Sequence, residues 1–159
     1  GDKVFQYPLL YTVEAEQMSL DVIEVQYLRE WLRRGGFWIL DDFHGVYELA
    51  HVRNEIDKIG DFHFETLTPT HPIFHTVFDI DEIIRVPHIG NQIHAECGPP
   101  CLRSYVLLAE SENGAILLLH NNDFGDGMEH ADAPELPALQ EEAPSLLLRD
   151  LWKVLRGVG

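Results

Sequence analysis

The sequence predicts an α/β fold: an open, mostly parallel sheet flanked by helices, with a C-terminal β-hairpin. Phe37-Trp38-Ile39-Leu40 is a continuous apolar run bounded by Gly36 and Asp41, too short for a helix. Such a run reads as a strand buried on both faces, the pattern of a parallel sheet. Amphipathic stretches lie on either side of it, giving strand–helix–strand order with short connections. Further on, Tyr105-Val106-Leu107-Leu108 and Ala115 to Leu119 are apolar runs separated by a turn containing Asn113-Gly114, a strong hairpin signal.

The first strand is expected over Leu9 to Val13, where Pro8 occupies a start position that tolerates a missing N–H. Ser19 reads as the N-cap of a helix from Leu20 to Arg34, with Leu20, Ile23, Tyr27, Leu28, Trp31 and Leu32 on one face. Asp21 and Glu24 near its start and Arg29, Arg33 and Arg34 near its end complement the helix dipole, and Gly35-Gly36 stops it. A second helix is expected from Tyr47 to Ile59, ended by Gly60, then a strand from Phe62 to Leu67. The proline-containing middle, Thr68 to Arg103, offers Ile73 to Ile80 and Ile83 to Val86 as short strands. His120 to Pro144 has no period and reads as a long irregular loop. A last helix is expected from Ser145 to Arg156.

With 159 residues the chain fits one domain, 2–159 with Gly1 set aside. Apolar residues at 45% and charged residues at 24% exclude global disorder. No apolar run reaches the length of a membrane span, so no membrane insertion of this chain is expected. No signal-peptide pattern is present, which does not decide the address because leaders are removed. The net charge of −16, from 27 acids against 11 bases, argues against nucleic acid and anionic membranes as partners. A cation, a small molecule such as a carbohydrate, or a basic protein surface would be compatible.

In an open parallel sheet, ligands bind beyond the carboxyl ends of the strands. Polar residues gather there at Glu14, at Asp41-Asp42-Phe43-His44-Gly45 and at His120-Asn121-Asn122-Asp123. His71-Pro72-Ile73-Phe74-His75 forms a further cluster. The expected ligand-binding set is Glu14, Asp41, Asp42, His71, His75, Asn122, Asp123 and Asp126, with Asp42, His75 and Asp123 facing one cleft. The competing explanation is local: Asp and Asn at strand ends cap helices and close turns, and Asp42 is placed to cap the second helix. His44, His71, His75, His120 and His130, with Asp42, Asp123, Asp126 and Glu129, are residue types that suit a borderline cation. His71 and His75 share a face only if a helical turn starts between them, so no metal ligands are assigned, and no cofactor is implied.

Asp123-Phe124-Gly125 spells the kinase magnesium triplet without the rest of the kinase pattern. The run to Gly127 is too short for an EF-hand. No nucleophile elbow, Walker loop, dinucleotide fingerprint or zincin motif occurs. Cys97 and Cys101 flank Gly98-Pro99-Pro100 in a loop, as a small disulfide or two ordinary thiols; an oxidised pair would imply an extracytoplasmic compartment.

Five pieces together resemble the domain-of-unknown-function 4159 family: Tyr7-Pro8-Leu-Leu-Tyr11-Thr-Val-Glu14, Leu28-Arg29-x-Trp-Leu-x-x-Gly35-Gly36-Phe37, Asp41-Asp42-Phe43-x-Gly45, His71-Pro72-Ile73-Phe74-His75 and Asn121-Asn122-Asp123-x-Gly125-Asp126. They fall within residues 7–129 in the family's order. The resemblance implies a class I glutamine-amidotransferase-like, flavodoxin-type fold and, for many members, an extracytoplasmic setting. Members usually carry Trp-Glu where this chain has Met128-Glu129. They commonly have an upstream strand and helix, so one sheet edge is expected to be incomplete or differently covered. True amidotransferases need a cysteine on a strand-to-helix elbow; Cys97 and Cys101 sit on none, so glutamine hydrolysis does not follow from the fold. The expectation is a ligand-binding or accessory domain. The alternatives are a metal- or carboxylate-dependent hydrolase acting on carbohydrate, and an acidic protein-interaction module.

Overall fold

A computed structural model describes residues 2–76, 79–83, 85–86 and 103–129. A 3-10 turn, Asp2–Gln6, leads into β1 (Leu9–Thr12), a second 3-10 turn (Ala15–Gln17), α1 (Val22–Arg33), β2 (Phe37–Phe43), α2 (Gly45–Asp57) and β3 (His63–Thr66). A third 3-10 turn, Pro72–His75, precedes β4 (Tyr105–Ser111), β5 (Gly114–His120) and α3 (Phe124–Glu129). The predicted helix from Ser145 to Arg156, both cysteines and His130 lie outside the described residues.

The strand order is β1-β2-β5-β4-β3. β1 pairs with β2, and β2 with β5, in parallel. β5 pairs with β4, and β4 with β3, antiparallel. The described sheet is therefore mixed, where a mostly parallel one was expected. The cause is the two-residue turn between Ser111 and Gly114: so tight a connection brings the chain back alongside itself, which only an antiparallel pair allows. β4 alone runs against the other four strands. The carboxyl ends of β1, β2, β3 and β5 thus share one sheet edge with the start of β4.

Alternate residues of the central strands feed two cores, one on each face. Trp38, Leu40, Ile116 and Leu118 pack with Trp31 and Leu32 of α1 and with Val52 and Ile56 of α2. Ile39, Leu117 and Leu119 pack on the other face with Leu67, Phe74, Val86 and Phe124. Both long helices therefore cover one face, while Leu67, Phe74, Val86 and α3 lie on the other.

Several predicted boundaries move for local reasons. Asp21, not Ser19, caps α1: its Oδ1 accepts from the backbone N–H groups of Ile23 and Glu24 at 2.7 and 2.8 Å. Glu24 returns the bond to the Asp21 N–H at 2.9 Å, completing a capping box. Gly35, at φ 92°, and Gly36 end the helix in a Schellman arrangement, donating to the carbonyls of Leu32 and Trp31. His44, not Asp42, occupies the N-cap position of α2. Ile73 to Ile80 and Ile83 to Val86 contain no strand among their described residues. Pro72 has no N–H for a ladder and His71 caps the turn behind it, so Pro72–His75 curls and buries Phe74. Within the expected irregular stretch after His120, residues Phe124–Glu129 are helical.

A candidate site around a buried aspartate

β2 continues three residues beyond the apolar run, so Asp41 and Asp42 belong to the strand. Asp41 shares the face of Ile39 and is fully buried. Its Oδ2 accepts from the Tyr11 hydroxyl on β1 and, at 3.0 Å, from the Gly125 N–H in the first turn of α3. Its Oδ1 is buried with no hydrogen-bond partner among the described residues. Burial pushes the Asp41 carboxyl up to about 7, against the lowering effect of the Tyr11 and Gly125 bonds; the nearby Asp123 charge adds to the rise. Burial also raises the Tyr11 phenol, with the charge and hydrogen bond of Asp41 acting in the same direction and Asp123 and Asp42 adding to it. Tyr11, Asp41, Asp123 and Asp42 thus form one electrostatic unit at the carboxyl ends of β1, β2 and β5.

The backbone around this unit departs from regular strand geometry. The β2–β5 register shifts between Leu40 and Phe43. Asp42 and Asn121 adopt left-handed conformations, φ 55° and 60°, which cost non-glycine residues energy and are tolerated best by Asp and Asn. The strands stay joined there: Asp42 N–H donates to the Asn122 carbonyl at 3.1 Å and Asn121 N–H to the Phe43 carbonyl at 3.0 Å. The two asparagines act as staples. Asn121 Oδ1 accepts from the Gly45 N–H at 2.8 Å, and its Nδ2 donates to the Arg103 carbonyl at 2.7 Å. Asn122 Oδ1 accepts from the Val86 N–H at 3.0 Å and the Ser104 hydroxyl at 3.1 Å.

The remaining predicted residues separate into groups. Asp123 accepts from the Asp126 N–H at 2.9 Å through Oδ1, and its own N–H holds the Val86 carbonyl at 2.9 Å. Asp42 Oδ1 lies 3.8 Å from His44 Nδ1. Glu14 is exposed, at φ 51°, where the second 3-10 turn begins. His71 Nδ1 accepts from the Ile73 N–H at 3.3 Å. Both ring nitrogens of His75 engage its own loop, with Asp79 Oδ1 at 3.0 Å and the Pro69 carbonyl at 2.6 Å. The Asp79 contact, then the Pro69 carbonyl, raises its pKa. His71 and His75 thus have local partners. Among the described residues no three His, Cys, Asp or Glu side chains form a group that would hold a metal ion.

Tyr11 and Gly125 were not among the expected site residues, although both fall within motif pieces. Their signal is positional: Tyr11 is one residue from the end of β1, and Gly125 lies two residues after Asp123, just past the end of β5. A side chain at Gly125 would sit 3.2 Å from Val13 Cγ1 and 3.5 Å from Asp123 Oδ1, so glycine permits the close approach of α3. On the neighbouring loop, Nε and Nη2 of Arg85 are buried without a hydrogen-bond partner among the described residues, and burial lowers its pKa.

The fold and site define a mixed α/β domain with a buried carboxyl cluster at the carboxyl edge of its parallel strands. A family model, Domain of unknown function (DUF4159), matches residues 1–145, and the chain belongs to that family. No curated protein and no solved structure matches it. Among the described residues, no helix is long and apolar enough to cross a membrane.

Proposed function

We propose that the chain is an extracytoplasmic, glutamine-amidotransferase-like domain without a catalytic cysteine. In this reading it serves as a binding or accessory domain for a small polar ligand, a carbohydrate being the best match. The ligand site is centred on Asp41 and completed by Asp42 and Asp123. The observation that carries this reading is the Asp41 carboxyl, buried with one oxygen bonded twice and the other without a partner among the described residues. A buried polar atom in that state is costly unless something supplies its hydrogen bond. With its pKa raised to about 7, the carboxyl donates to a sugar hydroxyl when protonated and accepts from one when ionised. The parallel β1–α1–β2 unit supports the flavodoxin-type reading, because such sheets keep ligands at this edge. The β2–α2 connection, a strand-to-helix elbow, carries Phe43-His44-Gly45 and no cysteine.

The test is calorimetric titration of a monosaccharide panel against the chain and its Asp41→Asn and Asp123→Asn variants. Saturable binding lost in both variants supports the reading. No binding across the panel, or binding indifferent to both substitutions, counts against it. A glutaminase assay should read as buffer.

One observation favours a second reading, a carboxylate-dependent hydrolase. Burial pushes the Asp41 carboxyl up to about 7, and the Asp123 charge nearby adds to the rise. A carboxyl that keeps its proton near neutral pH is suited to act as a general acid. Turnover of nitrophenyl glycosides abolished by Asp41→Asn would favour this reading over simple binding.

A further inference from the structure

A cavity opens at the same sheet edge, on the face opposite Asp41. Its volume is about 330 Å³, within the size range of small-molecule sites. Val46 and Leu49 of α2 form one wall, and Leu107 and Tyr105 of β4 another, with His120 at the end of β5 and Thr66 on β3 completing it. Leu49 and Leu107 belong to the core under α1 and α2, whereas Tyr11 and Phe124 beside Asp41 belong to the opposite one. The two sites are therefore separated by the sheet.

His120 gives this cavity its chemistry. Phe43 and Tyr105 are its register partners on β2 and β4, one on each side. Their rings stack on the imidazole at centroid distances of 5.3 and 6.0 Å, tilted by 26° and 23°. With both faces covered, the ring offers only its edge. Nε2 lies 2.9 Å from the Gly45 carbonyl; a carbonyl only accepts, so Nε2 carries the proton. Burial disfavours the charged ring, which leaves Nδ1 as an acceptor. Its neighbours in the cavity wall are aliphatic, hydroxyl-bearing or glycine, and none of them is charged.

We propose that this cavity is a binding site for a small, flat, uncharged molecule whose apolar ring lies between Leu49 and Leu107 and whose N–H or O–H donates to Nδ1 of His120. An ion would lose its hydration there and meet no opposite charge. A ring with one donor matches an apolar pocket that fixes orientation through a single polar atom.

Ligand-observed NMR with indole and phenol, using the whole chain, tests this. Both should bind saturably at millimolar concentration, shift the His120 Nδ1 resonance, and bind more tightly than toluene, which has no donor. Leu49→Trp fills the cavity from the helix side and Thr66→Trp from exposed β3, where tryptophan suits a strand; each should weaken indole by about tenfold or more. If Leu49→Trp does not fold, Thr66→Trp carries the comparison. Asp41→Asn should leave indole binding unchanged, which separates this site from the polar one. Absence of binding, affinity equal to toluene, an unmoved Nδ1 resonance, or full affinity in the filled variants would overturn the assignment.

Discussion

Tyr11 donates its hydroxyl to Oδ2 of Asp41 across the β1–β2 pair, joining two side chains 30 positions apart in sequence. The bond offsets part of the desolvation that burial imposes on the carboxyl, and it orients Oδ1, which has no partner among the described residues.

The first consequence is a pH dependence of stability. Asp41 is raised from 3.8 to about 7 in the folded chain, so the folded state binds this proton more tightly than the unfolded state. Its contribution is complete below the unfolded pKa and is lost as pH rises through about 7. At 1.36 kcal/mol per unit the swing is at most on the order of 4 kcal/mol. Urea midpoints between pH 5 and pH 8 should fall for the wild type and fall much less for Asp41→Asn. Parallel slopes would contradict the buried, proton-holding carboxyl.

Tyr11→Phe removes a donor and leaves the ring. Asp41 then retains the Gly125 N–H as its described partner at Oδ2, and the loss should be about 1–3 kcal/mol. Because the Tyr11 bond lowers the Asp41 pKa, that carboxyl should titrate still higher in the variant. An unchanged midpoint and unchanged titration would show the contact to be energetically idle.

What was legible in the sequence follows from the range of the interactions involved. Phe37 to Leu40, the α1 stripe and the Asn113-Gly114 turn are local signals, and the corresponding elements are present. Asp41 was expected beyond the strand because a charge normally marks its end. Its burial depends on Tyr11 and Gly125, on two other elements, and no local pattern reports that. The helix Phe124–Glu129 was missed because Gly125 and Gly127 argue against helical structure; at Gly125 the close approach of Val13 and Asp123 explains the choice. His71 and His75 flank a 3-10 turn fixed by the prolyl ring at Pro72, with Asp79 and Pro69 holding the His75 ring. The His120 ladder stayed hidden because its three rings come from three strands.

Asn122→Ala deprives the Val86 N–H and the Ser104 hydroxyl of their acceptor. The expected cost is about 1–3 kcal/mol, with the Val86 amide exchanging faster by hydrogen-exchange measurement. Exchange at the wild-type rate would show that this loop is held by other contacts.

Arg85 buries two guanidinium nitrogens without a partner among the described residues. Arg85→Met keeps an apolar stem and removes the desolvated charge, so thermal unfolding should be unchanged or raised, by up to about 1 kcal/mol. A clear loss of stability would indicate a counter-group that the described residues do not supply.

The proposed ligand site rests on Asp41, a fully buried carboxyl. Following its side-chain carboxyl carbon by NMR, across pH and with the monosaccharide panel present, tests it most directly. A midpoint near 7 is expected, well above the ordinary 3.8, together with a resonance that moves when a ligand supplies a partner to Oδ1. A midpoint near 4, with no response to any of the sugars, would contradict it.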